Sequence, residues 1–225
     1  MKQLILLHGA LGAETQLGEL HALLSSDFEL YCFDFNGHGI KSTDTNPFTM
    51  QQLAMELSAF IAQHQLQQPA IFGYSMGGYV ALTLAAAQPG SIGAIVTLGT
   101  KFNWSVEAAQ QEGKFLNPEK TMEKVPAFAA YLNKLHGEYW PALMRNTASM
   151  MLELGANHLQ PTDFGRIANR VLLLLGDADN MVTMDETVAV QKYLPDAIVE
   201  VLHATPHPLE KVDAVALAKR ITAFI

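Results

Sequence analysis

The 225-residue sequence predicts an α/β protein, with a mostly parallel six-stranded sheet, helices on both faces and a helical insertion. Three observations lead there. Six short apolar runs recur along the chain, and most are continuous instead of alternating, the pattern of strands buried on both faces. Stretches of helical periodicity separate them, the order expected when helices cover both sides of a parallel sheet. Between residues 101 and 169 the strand pattern stops and only helical periodicity remains.

The strand-like runs are Leu4–Leu7, Glu29–Phe35, Ala70–Tyr74, Ala94–Leu98, Val171–Leu175 and Ile198–Leu202. Helices are expected over Thr49–His64, where Leu53, Leu57, Phe60 and Ile61 share a face, and over Met76–Gln88, Asp185–Leu194 and about Leu209–Ile225. In the insertion, Asn117-Pro118, Val125-Pro126, Trp140-Pro141 and Gln160-Pro161 interrupt the pattern, dividing it into three or four short helices. The implied organisation is one core, residues 1–100 and 170–225, with a helical cap or lid over 101–169.

Composition narrows the functional class. Apolar residues make up 49% and charged residues 16%, which describes a compact chain and not a disordered one. A net charge of −8 disfavours nucleic acid and anionic membranes as partners, since both are polyanions; a small molecule is the expected partner, and a homodimer is left open. The single cysteine, Cys32, cannot close an intrachain disulfide and reads as a buried thiol in a reducing compartment. The apolar start ends at His8-Gly9, short of a signal-peptide core, and no run reaches the length of a membrane span. A cytoplasmic location is the expectation. No histidine and acid spacing suggests a metal site, and no cofactor is called for.

The chemistry-bearing segment is Ala70–Gly78: a strand, then Gly73-Tyr74-Ser75-Met76-Gly77, then the helix-forming Tyr79-Val80-Ala81-Leu82. A serine on a tight strand-to-helix turn projects its hydroxyl at the carboxyl edge of the sheet, and the flanking glycines leave room where a Cβ would collide with backbone. The helix start beyond it supplies free N–H groups and a positive dipole for a developing oxyanion.

Four motifs together resemble the α/β-hydrolase superfamily, in particular its cap-bearing, esterase-like branch, across nearly the whole chain. Leu6-Leu7-His8-Gly9-Ala10-Leu11 is similar to the family's H-G loop, and Asp34-Phe35-Asn36-Gly37-His38-Gly39 to its D-x-x-G-x-G turn. Gly73–Gly78 is similar to the nucleophile elbow, and Gly176-Asp177-Ala178-Asp179 to the G-x-x-D loop. Relatives usually begin with two further strands, so the resemblance implies the α/β-hydrolase fold lacking the first two strands. It also implies a Ser-His-Asp triad with Ser75 as nucleophile, and an oxyanion hole from the backbone N–H groups of Ala10 and Met76, with Leu11 as the alternative first donor. His8 and His38 are then structural turn residues.

Family chain order puts the acid and then the base after Ser75. Two aspartates follow the strand Val171–Leu175, Asp177 and Asp179; the family pattern selects Asp179. Two histidines follow Ile198–Leu202, His203 and His207; the family position selects His207, directly before Pro208-Leu209-Glu210. Leu11, Trp104, Phe128 and Met151 are candidate pocket residues, drawn from a set that also includes Phe115, Tyr131 and Met150. The implied reaction is hydrolysis of a small carboxylic ester or related acyl substrate. Carbon–carbon bond hydrolysis or elimination by the same triad is the enzymatic alternative, and a non-catalytic ligand-binding member of the fold the third. Serine at the elbow argues against alkyl-enzyme chemistry, which uses a carboxylate nucleophile.

Overall fold

The computed structural model describes residues 1–225. Six strands, β1 (Lys2–Leu7), β2 (Phe28–Cys32), β3 (Ala70–Tyr74), β4 (Ile95–Leu98), β5 (Val171–Gly176) and β6 (Ala197–Leu202), form one sheet in the order β2-β1-β3-β4-β5-β6. Every pairing is parallel, so the expected α/β architecture holds without an antiparallel member. The continuous apolar runs have the predicted cause: β3 and β5 are buried along their whole length, whereas the edge strand β6 is only partly buried and exposes Ile198 and Val201.

Alternate residues of each strand feed two cores. Ile5, Leu7, Ile71, Ile95 and Leu173 pack under α2 (Met50–Gln63) and α3 (Met76–Ala87). Leu4, Leu6, Phe72, Val96 and Leu174 pack against α1 (Gly18–Leu24) and α10 (Ala214–Phe224). The helix after β1 and the helix after β3 therefore lie on opposite faces of the sheet. In a parallel sheet this divergence opens a crevice at the carboxyl ends of the two strands, where ligands bind in open α/β sheets.

Differences from the sequence reading have local causes. The second strand stops at Cys32, because Asp34 leaves the ladder: its carboxylate accepts the Glu14 N–H at 2.7 Å and the Ile40 N–H at 2.9 Å. The last helix begins at Ala214 instead of Leu209; a 3₁₀ turn over Leu209–Lys211 comes first, and Asp213 caps α10 by accepting the Ala216 N–H at 2.9 Å. Helix α1 was not anticipated, since seven residues with two buried leucines, Leu20 and Leu24, are too few to display a period.

The insertion between β4 and β5 holds five helices instead of three or four: α4 (Val106–Phe115), α5 (Pro118–Lys124), α6 (Pro126–His136), α7 (Trp140–Asn157) and α8 (Pro161–Phe164). The prolines that marked the breaks lie in the first turns of α5 to α8, where a missing N–H costs no helical bond. Asn117 completes the start of α5 by accepting the Lys120 N–H at 2.8 Å. α9 (Met184–Gln191) lies between β5 and β6, near its expected place. No helix is long and apolar enough to cross a membrane. Burial pushes the Cys32 thiol up to about 12, which leaves it protonated at neutral pH.

Phe72→Ala, which removes a fully buried ring, is expected to lower unfolding free energy by about 3–5 kcal/mol in urea titrations. Phe115→Ala, at a side chain 72% exposed, is expected to stay within about 0.5 kcal/mol of wild type.

Candidate active site

The connections that follow β1, β3, β5 and β6 at the carboxyl edge of the sheet carry the catalytic and oxyanion candidates. Ser75 follows β3 directly, with φ 50° and ψ −113°, a conformation that non-glycine residues adopt only under restraint. The restraint is visible. Its N–H donates to the Leu98 carbonyl at 2.8 Å, and its carbonyl accepts from the Thr100 hydroxyl at 2.9 Å and the Gly78 N–H at 3.1 Å. The side chain makes no capping bond to α3, so the hydroxyl is left for the crevice. A Cβ on Gly73 would lie 2.4 Å from the Gly78 nitrogen, which is why the residue two before the serine is glycine.

Asp179 and His207 meet although 28 residues apart. The imidazole Nδ1 lies 2.7 Å from Asp179 Oδ2, and both side chains are buried. The second carboxylate oxygen accepts the Met181 N–H at 2.8 Å and the Val182 N–H at 2.9 Å. Burial pushes the Asp179 carboxyl up, but these hydrogen bonds and the neighbouring imidazole outweigh it and hold the group below the ordinary aspartate value. An ionised carboxylate accepts only, so the proton of neutral His207 sits on Nδ1 and Nε2 keeps its lone pair.

Two residues to which the sequence reading gave no role support this pair. Gly99, at φ +59°, follows β4 beneath it; a Cβ there would stand 3.2 Å from Asp179 Oδ2 and from the His207 ring. Tyr74, the residue before the nucleophile position, turns to the other face of the sheet and donates its hydroxyl to the His207 carbonyl at 2.9 Å. Burial raises the Tyr74 phenol, so it remains a donor. The elbow and the histidine loop are thus tied together by adjacent residues of one strand end.

The two unselected candidates pair with each other. His203 Nδ1 lies 2.8 Å from Asp177 Oδ2 on the surface, with the His203 side chain 94% exposed, and neither residue lines the crevice. The bond from His203 holds the Asp177 carboxyl below its ordinary value.

Ser75, His207, Ala10 and Met76 all line one cavity, although no hydrogen bond joins the Ser75 hydroxyl to His207 in this conformation. That separation is common before substrate binds. Met76 is the first residue of α3, so its N–H belongs to the set that a helix leaves without an internal partner. Of the candidate pocket residues, Trp104 and Met151 line the cavity, as does Met150. Leu11 and Phe128 do not. Leu11 is turned into the core, and Phe128, 39% exposed, stacks on Tyr131 at the outer surface of α6. Tyr131 in turn binds Glu210 at 2.7 Å, away from the cavity.

Sequence reasoning missed Met50, Tyr79 and Met181 in the lining, and a charged pair, Lys101 and Glu112. Tyr79 had a signal, one helical turn beyond Ser75 on the same face of α3. Met50 had none, because α2 reaches the site only through the tertiary fold. Lys101 Nζ sits 3.3 Å from Glu112 Oε1 and 3.3 Å from the Met181 carbonyl, joining α4 to the Asp179 loop. No three His, Cys, Asp or Glu side chains gather as a metal site. A hydroxyl, an oriented imidazole and a carboxylate around a mostly apolar cavity are suited to acyl transfer.

Comparison with known proteins identifies the family. Residues 4–218 match the model of the alpha/beta hydrolase family. The 3-oxoadipate enol-lactonase 2 of Acinetobacter baylyi is 23% identical over 198 residues, covering 82% of this chain and 74% of that protein. The enol-lactonase structure from Burkholderia xenovorans LB400 superposes with a TM-score of 0.77 at 18% identity, over 99% of this chain and 90% of that one. A thermophilic esterase from Thermogutta terrifontis gives 0.77 at 19% identity, over 99% and 87%. With the motifs, the all-parallel sheet and the match over nearly the full length in agreement, this chain is a member of the alpha/beta hydrolase family of enzymes.

Proposed function

We propose that the protein hydrolyses a small carboxylic ester or related acyl compound, with Ser75 as nucleophile, His207 as general base and Asp179 as its orienting acid. The observation that carries this is the buried Asp179–His207 bond at 2.7 Å, with its imidazole lining the same cavity as Ser75. Enol-lactonases and an esterase among the similar proteins support an oxygen ester as the scissile group.

In this mechanism the Ser75 oxygen attacks the substrate carbonyl while His207 Nε2 takes its proton. The carbonyl oxygen becomes an oxyanion, stabilised by the N–H groups of Ala10 and Met76. The tetrahedral intermediate then collapses: the carbon–oxygen bond to the alcohol breaks, and the imidazolium gives the leaving oxygen its proton. Water, deprotonated by the same imidazole, attacks the acyl-enzyme, and a second collapse returns the proton to Ser75 and frees the carboxylic acid. Asp179 stays ionised throughout and stabilises the transient imidazolium.

The lining also suggests which acyl groups enter. Trp104, Met150 and Met151 offer apolar surface, and Glu112 already compensates the Lys101 ammonium. An uncharged acyl chain suits such a wall better than an anionic one.

Turnover of p-nitrophenyl acetate by wild type is expected to fall by roughly 10⁴–10⁶ in Ser75→Ala and in His207→Ala, with the thermal midpoint little changed. His203→Ala should stay within about threefold. An inert wild type that is still labelled by a fluorophosphonate would reject ester hydrolysis and favour carbon–carbon bond cleavage. Gly99→Ala, which puts a Cβ against the Asp179–His207 pair at a positive φ, is expected to cost about 1–3 kcal/mol of stability and to reduce kcat. Glu112→Gln should raise kcat/KM for an anionic half-ester such as p-nitrophenyl hemisuccinate about fivefold, equivalent to about 1 kcal/mol for a partly exposed charge. The neutral ester should be unaffected.

A further inference from the structure

The turn Gly9–Gly12 follows β1, contributes Ala10 to the cavity lining and is closed by a bond from the Gly12 N–H to the Gly9 carbonyl at 3.1 Å. Its third residue, Leu11, has φ +57°, a conformation for which glycine is usual and which costs a branched side chain about 1–2 kcal/mol. Strain of this kind persists only where the surroundings over-determine the backbone. Two buried histidines do so here. His8 Nε2 accepts the Phe35 N–H at 3.2 Å, so its proton is on Nδ1, which donates to the Gly9 carbonyl at 2.8 Å. The Gly9 carbonyl and the Ala10 N–H belong to one trans peptide and point in opposite directions, so this bond aims the Ala10 N–H.

The second histidine comes from the insertion. His136 ends α6 and is buried, with Nδ1 2.9 Å from the Gly39 nitrogen and Nε2 3.0 Å from the Leu11 carbonyl. A backbone N–H can only donate and a carbonyl can only accept. Both contacts are satisfied by one form alone, the neutral ring with its proton on Nε2. Burial favours the neutral ring, holding it below the ordinary histidine value. Its titratable neighbours are Asp34 and His8 across the turn and the buried ring of His38, 6.0 Å away.

We propose that His136 is a positioning residue, through which the helical insertion holds the Leu11 carbonyl and so seats the Ala10 N–H toward the reacting carbonyl. The functional part rests on the reading of Ala10 as an oxyanion donor; the restraint on the turn does not. His136 touches no substrate. It locks a strained turn to the insertion, so that the cavity wall and the oxyanion loop are set as one unit.

Two variants, each compared with wild type by two measurements, test this. Wild type, His136→Leu and His136→Gln are compared in p-nitrophenyl acetate kinetics and in amide hydrogen exchange of residues 9–12. Loosening a donor by a fraction of an ångström to 1 Å is expected to lower kcat by about 10–100-fold in His136→Leu, with KM within about twofold and faster exchange in the turn. Glutamine can accept from Gly39 and donate to Leu11, and should restore both readouts to within about threefold of wild type. Wild-type kcat and exchange in His136→Leu, or a glutamine variant as impaired as the leucine variant, would overturn the proposal. Nitrogen NMR of the wild-type ring at pH 7 needs no variant to fold: a protonated Nε2 with bare Nδ1 is expected, and the other tautomer or an imidazolium would refute the assignment. If wild type turns over no ester, the ester reading fails by itself, and the exchange and ring measurements still decide the role of His136.

Discussion

A single strained peptide organises the site. Ser75 holds φ 50° because its N–H is bound by the end of β4, and its carbonyl by Thr100 and the first turn of α3. Those partners exist only when β3 and β4 lie side by side in parallel, with α3 leaving at once. The sheet thus converts hydrogen bonds spread over three elements into one exposed hydroxyl at its carboxyl edge. In the proposed reaction that hydroxyl is the nucleophile, and the same helix start serves the oxyanion.

The neighbouring loops are tuned to this edge by small, specific contacts instead of a large interface. Gly99 keeps the ground beneath the Asp179–His207 pair free of a side chain, and Tyr74 reaches through to the opposite face to hold the His207 backbone. On the other side of the crevice, His8 and His136 grip the Gly9 and Leu11 carbonyls, on either side of Ala10. The insertion enters the cavity wall through Trp104 and Met151 and reaches the turn through His136. Its helices are therefore coupled to the polar groups as well as to the apolar lining.

Much of this was legible before any coordinates. All six strands, the elbow and the insertion left local signals: buried runs, a glycine-flanked serine and prolines at helix starts. The selection of Asp179 and His207 over Asp177 and His203 needed the family pattern, because each pair follows the same strand. The fold then separates them by exposure, with one pair buried at the crevice and the other bonded to itself on the surface. The pocket was read less well. Phe128 has the apolar character of a lining residue, but α6 directs it outward, whereas Met50 arrives from a helix with no sequence link to the site.

By itself the sequence determined the order of elements, the sheet's parallel character and the strand end that bears the serine, since hydrophobic periodicity and glycine spacing act within a few residues. Only the tertiary structure decided which side chains face the cavity, that Gly99 and Tyr74 support His207, and that His136 restrains Leu11. The Tyr74–His207 and His136–Leu11 bonds join residues 133 and 125 positions apart. Such relations depend on helix rotation and loop path, which the packing of the whole core sets and no local pattern encodes.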